Sequence, residues 1–524
     1  MPTEKSNIAR SAFTMSVATF ISRIVGFVRE MIVASFLGAS GLSDSFFVAF
    51  RIPNLLRELF AEGSMSSGLI PVLSEYRTTK GEEETRRLVG VTLSFILVFI
   101  GLACLVGLIL ASPIVRAIAP GFLSDPVKFR TTVTLTRVMF PFLLFVSLSA
   151  LAMGALNAKK VFFVPAMAST WFNVAVITTI LALSRIVNNT VLVVAIGVTF
   201  GGCFQFFSQV GAFRKNGYSL MPVFDFGHPG LKKIGLLILP AMAGTAVAQV
   251  NIFISTILAS YLPAGSITYL FYAMRLVQFP VGVFGVAMGM AVIPSLSEHA
   301  AKKDFDSLSR DFSFSLKLLF AITLPSMVGL MALAEPIIST LFQRGRFDYE
   351  AVRGTMYAHL CYCLGIWAMV GVRVVASTFY SLQDTKTPVK MAVVAVTINV
   401  LLSAILMVRL AHAGLALATS ISSMVNFLGL FYFLRKKLRK VSFRDVAGSF
   451  FRTLLASAAM GGAGWYLGSL RSWNTAGHTL IKFLYLFSTM GLCVGIYLLV
   501  SVALKSEEVH YMINTAKRKF RGRK

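Results

Sequence analysis

Charge is scarce in this chain, and acidic charge scarcest of all. Of 524 residues only 14% are Asp, Glu, Lys or Arg, 22 of them acidic against 49 basic. Soluble domains carry nearer to about 25% charged residues, so an ordinary soluble protein is excluded. Long polar stretches are also missing, which leaves no room for a sizeable extramembrane domain. The five cysteines (Cys104, Cys203, Cys361, Cys363, Cys493) all fall in apolar runs, where Cys packs as a small hydrophobe. A disulfide framework is therefore not expected, and Cys361 and Cys363 are too closely spaced for a C-x-x-C pair. There is no H-E-x-x-H, no aspartate pair suited to metal and diphosphate, and no G-x-x-x-x-G-K-[ST]. The six histidines (His228, His299, His359, His412, His478, His510) are scattered. These absences argue against an enzyme, a resident metal or cofactor, and ATP hydrolysis by this chain.

Apolar sequence is what the chain has in excess: 56% of residues are hydrophobic. Runs long enough to cross a bilayer, roughly 20 residues each, recur at 11–36, 42–73, 88–111, 131–156, 161–184, 190–213, 234–260, 266–297, 312–333, 354–380, 389–409, 414–434, 448–470 and 481–504. The fold class expected is an all-α polytopic membrane protein with about 14 transmembrane helices. The first run follows MPTEKSNIAR without a short apolar core and a small-residue cleavage site, so an uncleaved first span is expected.

The connections divide by charge. About 31 Lys and Arg fall on one side and about 10 on the other, the bias that orients membrane proteins. The basic side holds Lys5, Arg10, the loop Arg77 to Arg87, Lys159, Lys160, the stretch Arg214 to Lys233, and the tail KRKFRGRK. Both termini are thus expected in the cytoplasm. Basic runs also suit nucleic acid, but beside a membrane helix they suit anionic lipid, so no nucleic-acid partner is expected.

The first half resembles the second at an offset of roughly 221 to 225 residues, the mark of an internal repeat. ASFLGASGLSDSFFVAFRI (34–52) sets against ASYLPAGSITYLFYAMRL (259–276), pairing Arg51 with Arg275. LIPVLSEY (69–76) sets against VIPSLSEH (292–299), and ALNAKKVFFVP parallels YSLQDTKTP. The domains read from this are a six-helix lobe at 1–215, a cytoplasmic linker at 216–233, a second six-helix lobe at 234–436, two further helices at 437–504, and a basic tail at 505–524. Six spans per copy keep both copies in one orientation, and transporters built this way hold substrate near the midplane and alternate access.

Eight arginines fall within the spans: Arg23, Arg29, Arg51, Arg57, Arg137, Arg275, Arg373 and Arg452. Arg137 and Arg452 lie close enough to span ends to reach the headgroups. Arg23 lies roughly 18 Å into its span, and Arg51 and Arg275 roughly 14 Å, at 1.5 Å per residue. One central Arg costs about 2.5 to 3.5 kcal/mol on insertion scales, so the five in spans one, two and eight need water or a counterion. Glu30, Asp44, Glu58 and Glu62 are the carboxylates near them, so structural pairing between helices is the plain alternative to an anion-binding cavity. Asp44 and Arg51 are themselves separated by about 10 Å of helix rise. Gly26, Pro53, the EGSMSSG stretch and Pro280 interrupt the same spans, and broken backbone within a membrane is tolerated where it lines a cavity.

Taken together, SRIVGFVRE (22–30), DSFFVAFRIPNLLRELFAEG (44–63), FPVGVFGVAMGMAVIPSLS (279–297) and FYSLQDTKTPVK (379–390) resemble the MurJ (MviN) lipid II flippases of the MOP exporter superfamily. The resemblance covers essentially the whole chain. It implies a bacterial inner-membrane protein moving undecaprenyl-diphosphate-linked disaccharide pentapeptide from the cytoplasmic to the periplasmic leaflet. It also implies cavity roles for Arg23, Arg29, Arg57 and Arg275, with Asp44 and Arg51 at matching positions and a lipid-tail groove on the last two helices. Met274 and Gln278 stand where some members carry acids beside the helix-eight arginine. The expected assignment is Arg23, Arg29 and Arg275 to substrate, and Asp44, Arg51, Arg57 and Glu62 to the cavity or its gate. Asp384 is a candidate cation ligand. With no ATPase motif, the membrane potential, an ion gradient or substrate flux is left as the energy source. Lipid II, membrane lipids and other cell-wall synthesis proteins are the expected partners. An exporter of another lipid-linked glycan is the alternative, since a fold alone does not name a substrate.

Overall fold

The computed structural model describes residues 4–60, 64–282, 286–438, 443–477 and 479–521. Helices dominate, and no strand occurs among the described residues. The chain divides into two compact units, Met1–Ala264 and Gly265–Lys524.

The first unit begins with α1 (Glu4–Leu37), α2 (Gly41–Phe60), α3 (Ser64–Thr79) and α4 (Gly81–Phe95). A π-helical turn, Ile96–Ile100, joins α4 to α5 (Gly101–Ile109), and α6 (Ala111–Ile118), α7 (Pro126–Met139) and α8 (Pro141–Ala158) follow. The unit closes with α9 (Phe163–Leu183), α10 (Thr190–Lys215) and α11 (Pro229–Ser260). In the second unit come α12 (Ser266–Pro280), α13 (Val286–Ala301), α14 (Phe305–Ala332), α15 (Ala334–Phe342), α16 (Tyr349–Cys363) and α17 (Ile366–Ser381). The remaining helices are α18 (Lys386–Leu438), α19 (Phe443–Ser469), α20 (Thr479–Ala503) and α21 (Glu507–Arg521).

Among the described residues, the spans expected from hydropathy fall almost wholly on helix. Eight helical segments among the described residues are long and apolar enough to cross a membrane. One of these, α18, is two helices joined at Ala411 (φ 46°, ψ −129°), the point between the expected spans 389–409 and 414–434. Three helices, α6, α15 and α21, arise where the sequence reads as connection or tail.

The repeat survives in local geometry. At an offset of 223, Asp125 caps α7 by accepting from Val127 and Lys128 N–H, and Asp348 caps α16 by accepting from Ala351 N–H. Such caps satisfy amide donors that a helix start leaves orphaned. At the same offset, Lys160 (φ 62°) and Gln383 (φ 58°) both take the left-handed conformation. Around them the same pair of bonds closes each helix: Val161 N–H to Leu156 O with Lys160 N–H to Asn157 O, and Asp384 N–H to Phe379 O with Gln383 N–H to Tyr380 O. This is the left-handed cap that usually recruits glycine; here neither copy uses it. Packing and repeat divide the chain differently by one helix. By sequence likeness α11 opens the second copy, yet it packs on α3 and α2 in the first unit.

The second unit is centred on α14, whose Phe312, Leu316, Leu319 and Phe320 are buried against α17 and α18. Phe320, Trp367, Phe427 and Phe450 meet edge to face there. In the first unit a close approach sets the position of α5: a Cβ on Gly107 would lie 2.0 Å from the Phe140 ring. A Cβ on Gly101, two turns away on the same helix, meets nothing within 4 Å. Gly107→Ala is therefore expected to cost roughly 1 to 3 kcal/mol by overpacking, while Gly101→Ala gains up to about 1 kcal/mol from helix propensity. Melting temperatures of the two purified variants test this; equal shifts would contradict the packing.

Candidate functional site

In the first unit, α1 carries two arginines in different settings. Arg23 is exposed, and among the described residues it has no ion-pair partner. Its neighbourhood is fixed by α9, where Asn173 donates to Ser22 O at 3.4 Å and would sit 3.2 Å from a Cβ on Gly26. Arg29, two turns on, is engaged. Its guanidinium pairs with the buried Glu30 carboxylate and lies 5.3 Å from the centre of the Phe172 ring on α9, a favourable cation–π arrangement.

Arg51 and Arg57 are both half-buried on α2. Arg57 donates from Nε to Asn54 Oδ1 at 3.1 Å, with Glu58 Oε1 3.9 Å from its terminal nitrogen. Glu58 in turn accepts from Asn54 Nδ2 at 3.0 Å and from Gln249 on α11. Gln249 is a member of this cluster that sequence reading passed over, because a lone Gln in an apolar run carries no signal. Glu62 lies outside the described residues.

Asp44 is held in an ion pair at the start of α2. It is 1% exposed, stands in the first turn of α2 where the helix dipole favours an anion, and pairs with Lys128 Nζ of α7 at 3.3 Å. Lys128 is itself buried and lies 4.0 Å from the Phe122 ring centre. By charge count Lys128 is one more loop residue. The signal that places it inside is the Asp125-Pro126 helix start, which puts Lys128 in the first turn of α7.

In the second unit, Arg275 is exposed on α12, between the half-buried Met274 and the buried Leu276. Asp384, the candidate cation ligand, has both carboxylate oxygens in use. Oδ1 accepts from Thr387 N–H at 3.1 Å, and Oδ2 accepts from the Thr387 hydroxyl at 2.9 Å and from Lys437 Nζ at 3.1 Å. These bonds, the backbone one foremost, hold its carboxyl down at about 2. No group of three or more His, Cys, Asp or Glu side chains suited to a metal occurs among the described residues. On the face of the first unit that carries the basic loops, Lys159 pairs with Glu82 at 2.7 Å, Arg87 with Asp225 at 3.0 Å and Lys233 with Glu75 at 2.6 Å. The hydrogen bond and charge of Lys159 hold the Glu82 carboxyl below its ordinary value.

Residues 33–485 match the family model described as lipid II flippase MurJ. The chain belongs to that family. A Burkholderia cenocepacia protein named lipid II flippase MurJ is 36% identical over 435 residues, which cover 82% of this chain and 84% of that protein. A Vibrio cholerae protein named probable lipid II flippase MurJ is 33% identical over 519 residues, covering 96% and 97%. A solved structure described as lipid II flippase MurJ in an inward closed conformation matches with a TM-score of 0.76 at 26% identity, over 94% of this chain and 98% of that one. An inward-facing MATE family multidrug resistance transporter of the MOP superfamily matches with a TM-score of 0.66 at 12% identity, a likeness of fold alone. Membership of the MurJ family makes the chain a multi-pass membrane transporter rather than a catalyst.

Two predictions follow from these pairs. Asp44→Asn leaves the Lys128 ammonium buried and unpaired, a loss of roughly 3 to 5 kcal/mol. Replacing both residues by apolar ones (Asp44→Leu with Lys128→Met) should recover most of it. Thermal melting of purified protein reads both; a double variant as unstable as the single one would contradict the pairing. For Asp384 the folded state holds the carboxyl below its ordinary 3.8, so its contribution to stability is full above that value and fades as pH falls toward about 2. Asp384→Asn should thus melt lower than the parent at neutral pH, with the gap closing in acid. A gap independent of pH would refute the ionic part of this capping contact.

Proposed function

We propose that the chain moves lipid II from the cytoplasmic to the periplasmic leaflet by alternating access, through a central cavity lined with arginines. On this reading the chain crosses a bacterial inner membrane fourteen times with both termini in the cytoplasm, the orientation that its charge bias favours. Lipid II is a large amphiphile whose diphosphate needs cationic donors and whose prenyl chain needs apolar surface. Arginine suits the first need, since its planar fork donates two parallel bonds to a phosphate.

The observation that carries the proposal is the setting of Arg23. Its guanidinium is exposed although its neighbours Phe20, Ile21 and Ile24 on α1 are apolar and exposed too. Among the described residues no carboxylate neutralises it, so of the described α1 cations it is the one available to an anion. Arg29, with Glu30 and Phe172 beside it, is held in a fixed pose and adds positive charge already partly offset. Arg275 is assigned to the same substrate from the second unit. Arg51 and Arg57 shape the cavity, and Asp44 acts through its pair with Lys128 by fixing the start of α2. The same reading leaves the membrane potential or an ion gradient as the source of drive.

The test is leaflet accessibility of lipid II in cells depleted of their own flippase, with this chain supplied at matched expression. Wild type should restore periplasmic lipid II, Arg23→Ala and Arg275→Ala should abolish the restoration, and Arg29→Ala should weaken it. Wild type that inserts yet restores nothing would point to another lipid-linked glycan as cargo. Full restoration by all three variants would remove the cationic site from the proposal.

A further inference from the structure

The second unit carries a cationic cluster that the lipid II reading leaves unused. It lies where α15 ends and α20 begins, at the end of α20 opposite the one leading into α21. Lys482 of α20 is 3% exposed. Its ammonium donates to Ser339 Oγ at 2.9 Å, Gln343 Oε1 at 3.2 Å and the Thr475 carbonyl at 2.6 Å. All three donors of a lysine are thereby used, and all on neutral oxygens. Lys482 pins the 470–477 connection onto α15 and brings a full positive charge with it.

Gln343, the neighbour of Arg344 in the chain, donates from Nε2 to the Asn474 carbonyl at 2.9 Å, which brings Arg344 beside the connection that carries Arg471. Neither has a carboxylate partner among the described residues. Arg344 spends one terminal nitrogen on the Thr340 carbonyl at 2.8 Å, and its Nε is buried with no hydrogen-bond partner. The Arg471 guanidinium stands 5.7 Å from the Trp473 ring centre and 5.9 Å from that of Tyr485. Both rings are anchored: Trp473 Nε1 donates to Gly468 O at 2.8 Å and the Tyr485 hydroxyl to Leu467 O at 2.6 Å. Stacking holds an arginine by its face and leaves its edge, where the N–H donors are, open to an anion.

Three cations brought together without a carboxylate, with a buried guanidinium nitrogen left over, are costly unless something negative completes them. They also sit on the face that the charge bias keeps poor in Lys and Arg, so their convergence is not a by-product of orientation. We propose that Arg344 and Arg471, over the fixed charge of Lys482, bind the phosphate of an anionic lipid headgroup in the leaflet opposite the C-terminal helix. A lipid rather than a free anion is favoured by what surrounds the site. Tyr485, half-buried, is an aromatic of the kind that gathers at a membrane interface, and Leu480, Ile481 and Leu484 beside it are exposed along α20, offering acyl chains an apolar surface.

The inference rests on the chain spanning a membrane and not on its cargo. Its test therefore contains no lipid II, and its failure is separable from failure of the transport reading. The purified full-length protein is titrated with phosphatidylglycerol, with phosphatidylcholine and with inorganic phosphate, and bound lipid is counted by native mass spectrometry. Arg344→Gln with Arg471→Gln should weaken phosphatidylglycerol binding by at least about tenfold, one charge-assisted contact being worth about that factor, and leave phosphatidylcholine unchanged. Arg471→Gln alone breaks no hydrogen bond among the described residues, so it keeps the fold and should by itself lose several-fold. Phosphatidylglycerol binding unchanged in that single variant overturns the site. Inorganic phosphate binding as tightly as the lipid overturns the lipid assignment.

Discussion

A charge inside a membrane protein must be neutralised, hydrogen-bonded on every side or left open to water or ligand, and the rest of this structure follows from how each one is treated. Asp44 and Lys128 neutralise each other across α2 and α7. Glu58 is surrounded by amide donors from Asn54 and Gln249, and Lys482 by three neutral oxygens. Arg23 takes the last route and stays exposed. Pairing and hydrogen bonding tie the structure together, because each partner comes from a different part of the chain or a different turn. The open route leaves a donor set without a job in folding. Since a buried ion pair is weak evidence for stability but a broken one is expensive, the paired charges act chiefly as fasteners that fix one arrangement of helices. The unpaired one is where function is to be sought.

Much of the architecture is legible in the sequence, because helices that span lipid must satisfy their own backbone and so announce themselves as long apolar runs. The repeat is legible too, and the structure shows its physical content: equivalent caps at Asp125 and Asp348 and equivalent left-handed closures at Lys160 and Gln383. What sequence does not reveal is which helix packs with which unit. Likeness at a fixed offset records a shared pattern, while packing records shape and area, and α11 follows the second. Short helices such as α6 and α15 are also hidden, since eight or nine residues give too little periodicity to separate helix from connection.

The candidate site is only half legible for a related reason. Arginines within apolar runs are conspicuous, so Arg23, Arg29 and Arg57 are found at once, but their partners are not. Lys128 looks like loop charge until the Asp125 cap draws it into a helix, and Gln249 and Asn173 look like ordinary polar residues of a span. Pairing depends on neighbours far apart in the chain. Composition can say that a counterion is needed; it cannot say which arginine receives one. That distinction separates Arg23 from Arg29, two residues that the sequence treats alike.

The separation matters for a carrier in a way it does not for an enzyme. A transporter must bind its cargo firmly enough to load and loosely enough to release, and each charge-assisted contact to a phosphate is worth roughly 1.5 to 3 kcal/mol. Three fully available arginines would hold a diphosphate by something like 5 to 9 kcal/mol before any contribution from sugar or lipid tail, deep enough to slow unloading. On the reading proposed above, Glu30 beside Arg29 lowers that sum while keeping the local potential positive. If that reading holds, Glu30 is part of the transport design and not mere structural ballast. Removing Glu30 is accordingly expected to tighten lipid II binding and slow its translocation; binding and leaflet assays run side by side would read this, and weaker binding in Glu30→Gln would count against the argument.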